Sequence, residues 1–456
     1  MISIRQRAGI DGSPIDIAWL AAFRVMLGVV VAWSAARFLI YGWVDQFFGT
    51  PTYFFDFYGV DFISVLPSPW MHVVFGALVV LGLCIAAGAM TRVATVGAFV
   101  LFTYVELIDV TNYLNHYYLV SLLLGILCFL PAGALWSVDA KRSFKKRRDY
   151  MPKWMHSLLR LQVACVYFWA GMAKFGSDWL LHAQPLNIWL LARQDTPIIG
   201  AFFDSWNVAL MMSWGGFLFD TTIWAFLLWP KTRRVAYVVV LGFHITTGVL
   251  FNIGMFPIIM IAAATVFFDP SWPRQLFKSR APSLDDAPRQ PLRGVAALAV
   301  ACFCAFQCFF PARHFLYPGD VLWTEEGMRW SWKVMVREKN GAITYLVRLP
   351  TRRRDLHVPP TRYLTDHQAR EMSGQPDLIL QLAKHIGQEY RAKGHDKVEV
   401  RVDAKVSLNG RPPHPLIDPE VDLMAVDDGL MPADWILPPP PSRQEITKWI
   451  PHRLER

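Results

Sequence analysis

Three ionisable side chains in long apolar stretches are the first candidates for chemistry in this sequence. Lys174 and His244 lie inside such stretches, and His116 opens another. A charged side chain is costly in a bilayer, so an ionisable residue there commonly has a function. Burial favours the neutral form of an amine, and a neutral lysine can act as a base. The alternatives are a lysine that reaches the membrane interface, an interfacial histidine at position 116 and a hydrogen-bonded core histidine at position 244.

The residues before Lys174 leave room for a ligand. Ala170, Gly171 and Ala173 are small, and Tyr167 lies two turns earlier on the same face of a helix. We therefore expect a substrate to approach Lys174 closely and Tyr167 to contact a cofactor.

The elements that must position these residues are membrane helices. The chain has 456 residues, of which 54% are hydrophobic and 18% are charged, and its mean hydropathy is +0.29. These values exclude a disordered chain and an ordinary soluble enzyme. Apolar stretches long enough to cross a bilayer cover residues 17–41, 71–89, 93–110, 116–134, 157–176, 207–229, 235–251, 253–269 and 293–310. The sequence predicts a polytopic α-helical membrane bundle of about nine spans over residues 1–310, surrounded by lipid, and an extracytoplasmic α+β domain over residues 311–456.

The distribution of positive charge between the loops predicts the orientation. One set of loops carries only Arg193, whereas the other carries Arg5, Arg7, Arg92, Lys141, Arg142, Lys145, Lys146, Arg147, Arg148, Lys153, Lys231, Arg233, Arg234, Arg274, Lys278, Arg280 and Arg289. The positive-inside rule then places the N-terminus in the cytoplasm and residues 311–456 outside, as in a bacterial inner membrane. Lys174, His116 and His244 all lie toward the outer face, which predicts a site there. The net charge of +9 comes mostly from the membrane region, so nucleic-acid binding is disfavoured.

Two further charged residues lie in apolar stretches toward the inner face. At about 1.5 Å per residue, Arg24 and Asp220 are each roughly 10–14 Å from the inner end of their helix. An unpaired charge at that depth is costly. We therefore predict a structural ion pair between Arg24 and Asp220.

The C-terminal region shows alternating and helical patterns of apolar residues. They predict a strand over residues 330–337, a strand over 342–349 after an Asn340-Gly341 turn, a helix over 377–390 and a strand over 398–406. Residues 438–441 predict a polyproline linker, and the aromatic loop 42–70 is expected at the membrane interface. The six cysteines all lie in apolar stretches, and no metal-ligand spacing or phosphate-binding glycine loop is present. We expect no metal cofactor.

Several short motifs, taken in order, resemble the vitamin K-dependent γ-glutamyl carboxylase family, including its bacterial homologues with an HTTM-type membrane domain. In the membrane region they are residues 14–18, 22–24, 115–116, 136–139, 170–171 with Lys174 and 178–179, 243–244 and 253–256. In the C-terminal region they are residues 314–316, 323–324, 331–332, 335–336, 406–409, 418–419 and 421–422. Each motif is short, but their order through both regions is specific.

The resemblance implies a quinol-dependent carboxylase. A quinol, vitamin K hydroquinone or a related menaquinol, is deprotonated by Lys174 and reacts with O₂ to give a base that removes a γ-proton from glutamate. The quinol leaves as an epoxide, and the carbanion captures CO₂. His116 is implied in carboxylation, and Asn115, His244 and Met255 in orienting the cofactor or the substrate, a glutamate-containing exported protein or peptide. A side-chain amine alone is too weak a base for this proton, so the cofactor supplies the chemistry in a water-poor pocket.

Two other functions stay open at this point. The first is a quinol epoxidase that fixes no CO₂. The second is a non-enzymatic membrane scaffold or maturation factor, in which Lys174 and His116 are dispensable. A transporter is disfavoured because charges are sparse at mid-bilayer and paired broken helices are absent.

Overall fold

The computed structural model describes residues 10–143, 145 and 147–440. Arg5, Arg7 and Lys146, used for the orientation, and Pro441 of the predicted linker lie outside the described residues. The helices are α1 Ala18–Ile40, α2 Ser68–Ala87, α3 Thr91–Leu107, α4 Asn115–Leu127, α5 Val138–Arg142, α6 Lys153–Met172, α7 Ser177–Leu180, α8 Leu186–Leu191, α9 Trp206–Leu228, α10 Arg233–Leu250, α11 Phe256–Ala264, α12 Trp272–Leu276, α13 Gly294–Phe309, α14 Val321–Thr324, α15 Asp366–Met372 and α16 Pro376–Ala392. The strands are β1 Pro14–Asp16, β2 Tyr150–Pro152, β3 Lys339–Arg348, β4 Leu356–Val358, β5 Glu399–Leu408 and β6 His414–Pro415.

A helix lies at each of the nine apolar stretches, but the count of nine spans is not confirmed. Among the described residues, five helices are long and apolar enough to cross a membrane: α1, α2, α9, α10 and α13 with its continuation to Leu316. Helices α4 and α11 are apolar but shorter. The 13 residues of α4 rise about 20 Å, less than the roughly 30 Å of a hydrocarbon core.

Small residues bring the first two membrane helices together. A Cβ atom on Gly28 of α1 would lie 2.4 Å from the backbone nitrogen of Ala86, and one on Gly82 of α2 would lie 2.6 Å from that of Ala32. Both glycines are therefore required for the close approach of the two backbones, as is common between membrane helices. This contact holds α1 against α2, and the C-terminal end of α1 contributes to the site described below.

The C-terminal domain is built on an antiparallel sheet with the strand order β4-β3-β5-β6. Alternate residues of β3 and β5, among them Tyr345 and Val402, which pair directly, are buried with the apolar face of α16. The predicted helix over 377–390 and the predicted strands over 342–349 and 398–406 are confirmed by α16, β3 and β5. The predicted Asn340-Gly341 turn is wrong, because both residues continue β3 and pair with β5.

The aromatic loop between α1 and α2 belongs partly to the core of this domain. Phe55 and Phe57 are buried there, packed with residues of the sheet and α16. The Gln381 side chain donates to the backbone oxygen of Asp56 at 3.0 Å and fixes the loop. The expectation of an interfacial loop is therefore corrected for these residues, which find their apolar surroundings inside the protein.

The strand predicted over residues 330–337 is wrong. These residues form turns and irregular backbone, and Trp330, Trp332 and Met335 have φ values of 58°, 56° and 52°. Their apolar side chains pack into different cores: Trp330 packs against the core of the C-terminal domain, where its ring stacks on Phe57, and Trp332 is buried in the core of the membrane helices, where its ring stacks on Tyr118. The alternation therefore reflects contacts with two groups of residues and not one face of a sheet.

Candidate active site

A cavity of about 540 Å³ lies where the ends of α1 and α3 and the starts of α2, α4 and α11 meet the C-terminal domain. Its walls are mainly apolar and aromatic, with Phe38, Trp43, Phe47, Phe48, Phe75 and Phe102 among the lining residues. A few polar groups face the same space: Arg37, Glu106, Asn115, His116, Tyr117 and Asn252. The size and this mixture of walls are typical of a small-molecule site.

Asn115 and His116 stand at the first turn of α4, on the wall of this cavity. The Asn115 side chain accepts a hydrogen bond from the Tyr113 hydroxyl at 3.0 Å and donates to the backbone oxygen of Lys333 at 3.5 Å. His116 is buried, and a Cβ atom on Gly254 would lie 3.8 Å from its Nε2. Gly254, with φ of 58°, lets the loop before α11 turn toward this ring. The structure thus places both predicted residues at one cavity.

Lys174 lies just beyond α6 and forms a buried ion pair. Its Nζ atom is 2.8 Å from Oδ2 of Asp220 in α9, and the two side chains are only 7% and 8% exposed. The same amine donates to the backbone oxygen of Ala170 at 3.1 Å. A Cβ atom on Gly171 would lie 2.7 Å from the backbone nitrogen of Thr221, so this small residue admits α9 and not a substrate.

The predicted ion pair between Arg24 and Asp220 is wrong, because Asp220 pairs with Lys174. Nη2 of Arg24 donates instead to the backbone oxygen of Trp136 at 2.8 Å. The number of residues to a helix end gives the depth of a residue only if the helix ends lie level. Helix α9 extends beyond the end of α6, and the Trp179 ring nitrogen, past α6, donates to the Ser213 backbone at 2.8 Å. Asp220 therefore lies at the level of Lys174.

The remaining predicted residues lie behind the cavity wall. The Tyr167 hydroxyl and Nε2 of His244 are 3.1 Å apart, and both side chains are buried. The Phe256 ring, which lines the cavity, has its centre 5.8 Å from that of His244 and 6.0 Å from that of His116. Met255 is buried between two residues that line the cavity.

The predicted site residues therefore form two groups, and Phe256 lies next to His116 of the first and His244 of the second. Asn115 and His116 face the cavity, whereas none of Lys174, Tyr167, His244 and Met255 is among the described residues that line it. We refer to Lys174, Asp220, Tyr167 and His244 as the buried polar group.

Two models of known protein families match consecutive parts of the chain. The HTTM domain matches residues 13–272, more than half of the sequence, and the vitamin K-dependent gamma-carboxylase, lumenal domain, matches residues 293–441. The chain belongs to the vitamin K-dependent gamma-carboxylase family. No solved structure matches it. In this carboxylase-family protein, the cavity lies at the junction of the two matched regions, because Val334, Met335, His367 and Glu371 of the second region close a wall formed by the first.

Two cavity residues were not singled out from the sequence of this carboxylase-family protein. Glu106 accepts a hydrogen bond from the Ser121 hydroxyl at 2.7 Å, and its Oε1 atom has no hydrogen-bond partner among the described residues. Nε of Arg37 is likewise buried without a partner in the described part of the chain, and its guanidinium carbon is 5.4 Å from the Trp43 ring centre. Both are ionisable residues in apolar stretches, so the rule that selected Lys174 would have found them.

A buried contact joins the two regions of this carboxylase-family protein. The carboxylate of Asp178, in α7, accepts two hydrogen bonds from Arg411 at 2.7 and 2.6 Å and one from the Asn409 amide at 2.9 Å. The charged side chains of Asp178 and Arg411 are 13% and 10% exposed. Such a two-pronged contact fixes orientation as well as distance, so it holds the C-terminal domain against the membrane helices.

Proposed function

We propose that this protein is a γ-glutamyl carboxylase-type enzyme that modifies glutamate residues of an exported protein or peptide. Vitamin K hydroquinone or a related menaquinol serves as cofactor, with O₂ and CO₂ as co-substrates and epoxidation of the quinol as the coupled reaction. The observation that carries the proposal is the largely apolar cavity holding Asn115 and His116 at the junction of the two family regions. The membrane helices support an integral membrane protein, for which we propose a cytoplasmic N-terminus and an extracytoplasmic C-terminal domain.

The lining of the cavity fits a quinol. The rings of Phe38, Phe48 and Phe75 offer flat apolar contacts for an aromatic head group. The Asn115 amide and the His116 ring offer hydrogen-bond donors and acceptors for its hydroxyl groups. When bound there, the quinol supplies with O₂ the basicity at a glutamate γ-carbon that no side chain can supply.

The roles of the chain's own residues follow from their surroundings. His116 and Asn115 orient the ligand, and the aromatic walls exclude water from the reacting groups. We assign proton acceptance to Lys174 together with Asp220, because the carboxylate holds the ammonium proton at 2.8 Å. Lys174 can therefore accept a proton only in its neutral form. In that form, the pair with ionised Asp220 carries one negative charge. The Tyr167–His244 contact and Phe256 lie between the core of the bundle and the cavity.

The proposal is tested with the purified full chain in lipid nanodiscs. The protein receives reduced vitamin K, O₂, labelled bicarbonate and a glutamate-containing peptide, and epoxide and peptide-bound label are counted separately. His116→Ala is compared with His357→Ala, which removes an exposed histidine of β4 that lines neither the cavity nor the buried polar group. We expect His116→Ala to lower peptide labelling more than epoxide formation and His357→Ala to change neither.

The two products separate the alternatives. Epoxide without label from any glutamate peptide would identify a quinol epoxidase. Neither product from the unmodified protein would favour a scaffold or maturation factor. Equal activity of the His116→Ala and His357→Ala variants would remove His116 from the site.

A further inference from the structure

A second, more polar chamber adjoins the cavity of about 540 Å³ in which we propose that the quinol binds, on the side of the C-terminal domain. Its volume is about 190 Å³, and it shares Thr111, Tyr113, Asn115, Met335 and Glu371 with the larger cavity. Asn115 thus faces both spaces, next to His116. A side chain that fills the polar chamber therefore ends beside the residues proposed to orient the quinol.

Two of the three cationic residues that line this chamber are already paired. Arg329 donates to Oδ2 of Asp377 at 2.5 Å, and Arg337 is hydrogen-bonded to Glu325. Lys333, the third, has no carboxylate within ion-pair distance among the described residues. Its Nζ atom lies 3.4 Å from Nε2 of His314. The Asp320 carboxylate attracts the ammonium group electrostatically, but only from beyond ion-pair distance.

The acids of the chamber do not neutralise Lys333 either. Glu325 binds Arg337 and also lies 3.4 Å from Nζ of Lys339, and Glu371 accepts a hydrogen bond from Arg370 at 3.3 Å. Burial lowers the pKa of the Lys333 amine to about 8, so it remains largely protonated at neutral pH. The chamber therefore offers one uncompensated cation.

The backbone around Lys333 is held in a conformation that non-glycine residues rarely adopt. Trp330, Trp332 and Met335 all have positive φ values, and such strain persists where the surroundings fix it, commonly at functional sites. The Trp330 amide donates to the Tyr113 hydroxyl at 2.8 Å, and Asn115 binds the Lys333 carbonyl. The irregular segment thus holds Lys333 in the wall of the polar chamber, bound through its carbonyl to Asn115, which lines both spaces.

We propose that Lys333 binds the side-chain carboxylate of the glutamate residue to be modified, which makes the polar chamber the acceptor site for an acidic peptide. This inference rests on the proposed function. The carboxylate bound to Lys333 would place the adjacent γ-carbon toward Asn115 and the quinol cavity. Loss of the γ-proton spreads negative charge onto that carboxylate, so a fixed ammonium stabilises the charge that develops as well as the bound substrate.

A kinetic test compares three lysine variants in nanodiscs. We expect Lys333→Gln to lower kcat/KM for peptide carboxylation ~10- to 100-fold, as for a lost hydrogen bond between charged groups, and Lys333→Arg to restore most of it. Lys405→Gln, which removes an exposed lysine of β5, is the matched control and should retain full kcat/KM. Unchanged kcat/KM in Lys333→Gln beside an active parent would overturn the proposal.

A second test needs neither a variant nor catalysis. The parent protein is treated briefly with an amine-acylating reagent, and modification of Lys333 and Lys405 is followed by mass spectrometry. A glutamate peptide should protect Lys333, the matching glutamine peptide should not, and Lys405 should react equally in both. Equal modification of Lys333 with both peptides refutes the site even if the protein carboxylates. Selective protection without carboxylation supports the site and counts against the proposed reaction.

Discussion

The buried ion pair between Lys174 and Asp220 allows stability and catalysis to be separated. Both side chains are nearly fully buried, and no other acid forms an ion pair with Lys174 in the described part of the chain. Asp220→Leu or Lys174→Met alone leaves a buried charge without its partner. Either change should lower the free energy of unfolding by about 3–5 kcal/mol.

The double variant Lys174→Met with Asp220→Leu should be more stable than either single variant. Replacing a whole buried pair by apolar side chains of similar size is often neutral or stabilising, so we expect stability near that of the unmodified protein. Unfolding is measured in the same detergent for the four proteins, which gives the coupling between the two sites. The exposed pair of Lys393 and Glu389 is the control cycle, with an expected coupling of about 0.3–0.5 kcal/mol.

The activity of the double variant decides the role of the pair. If Lys174 and Asp220 together accept the quinol proton, the stable double variant forms no epoxide. Full epoxide formation by a folded double variant would refute the assignment of the base and leave a structural pair. Single variants as stable as the parent protein would refute the burial argument itself.

Three further outcomes follow from other contacts. Gly171→Val should lower stability by about 1–3 kcal/mol because α9 lies against Gly171, whereas Gly215→Ala, with open space at its Cβ, should not; equal melting temperatures would contradict this. Asp178→Asn should break the two-pronged contact with Arg411, cost about 3–5 kcal/mol and expose the C-terminal domain to protease; unchanged proteolysis would count against it. Since the pKa of Lys333 is about 8, its protonated fraction falls about tenfold from pH 7 to pH 9, and the peptide KM of the unmodified protein should rise about tenfold. The KM of Lys333→Arg should stay level over this range. A level KM in the unmodified protein would exclude this titration.

Local pattern predicted much of the fold. Helices lie at the apolar stretches, and the strands β3 and β5 and helix α16 were recognisable because each buries one regular face. Residues 330–337 show where a local apolar pattern predicts the wrong structure. Their apolar side chains alternate, but Trp330 packs against the core of the C-terminal domain and Trp332 is buried in the core of the membrane helices. Periodicity reports burial and does not report which surface buries a residue.

Residue types selected the candidates for the site, but they did not predict the contacts between these residues. Asn115 and His116 lie at the cavity, but Asp220 pairs with Lys174 and not with Arg24. The number of residues to a helix end gives depth only if all helices end at one level, and α9 passes beyond α6. The pairing of charges depends on these offsets, which one sequence does not contain.

The irregular residues 330–337 explain why the site lies at the junction of the two regions. A strongly basic reaction centre needs apolar, dry walls, whereas a peptide with a carboxylate needs a polar, cationic approach. In a regular strand, Val336 would face away from Lys333, Met335 and Arg337, although all four residues line the polar chamber. The irregular backbone, with left-handed residues at 330, 332 and 335, instead lets neighbouring residues line the same space: Val334 and Met335 line the larger cavity, and residues 335–337 line the polar chamber together with Lys333. Under the proposed function, this departure from the predicted strand is the feature that lets an acidic peptide reach a membrane-soluble quinol.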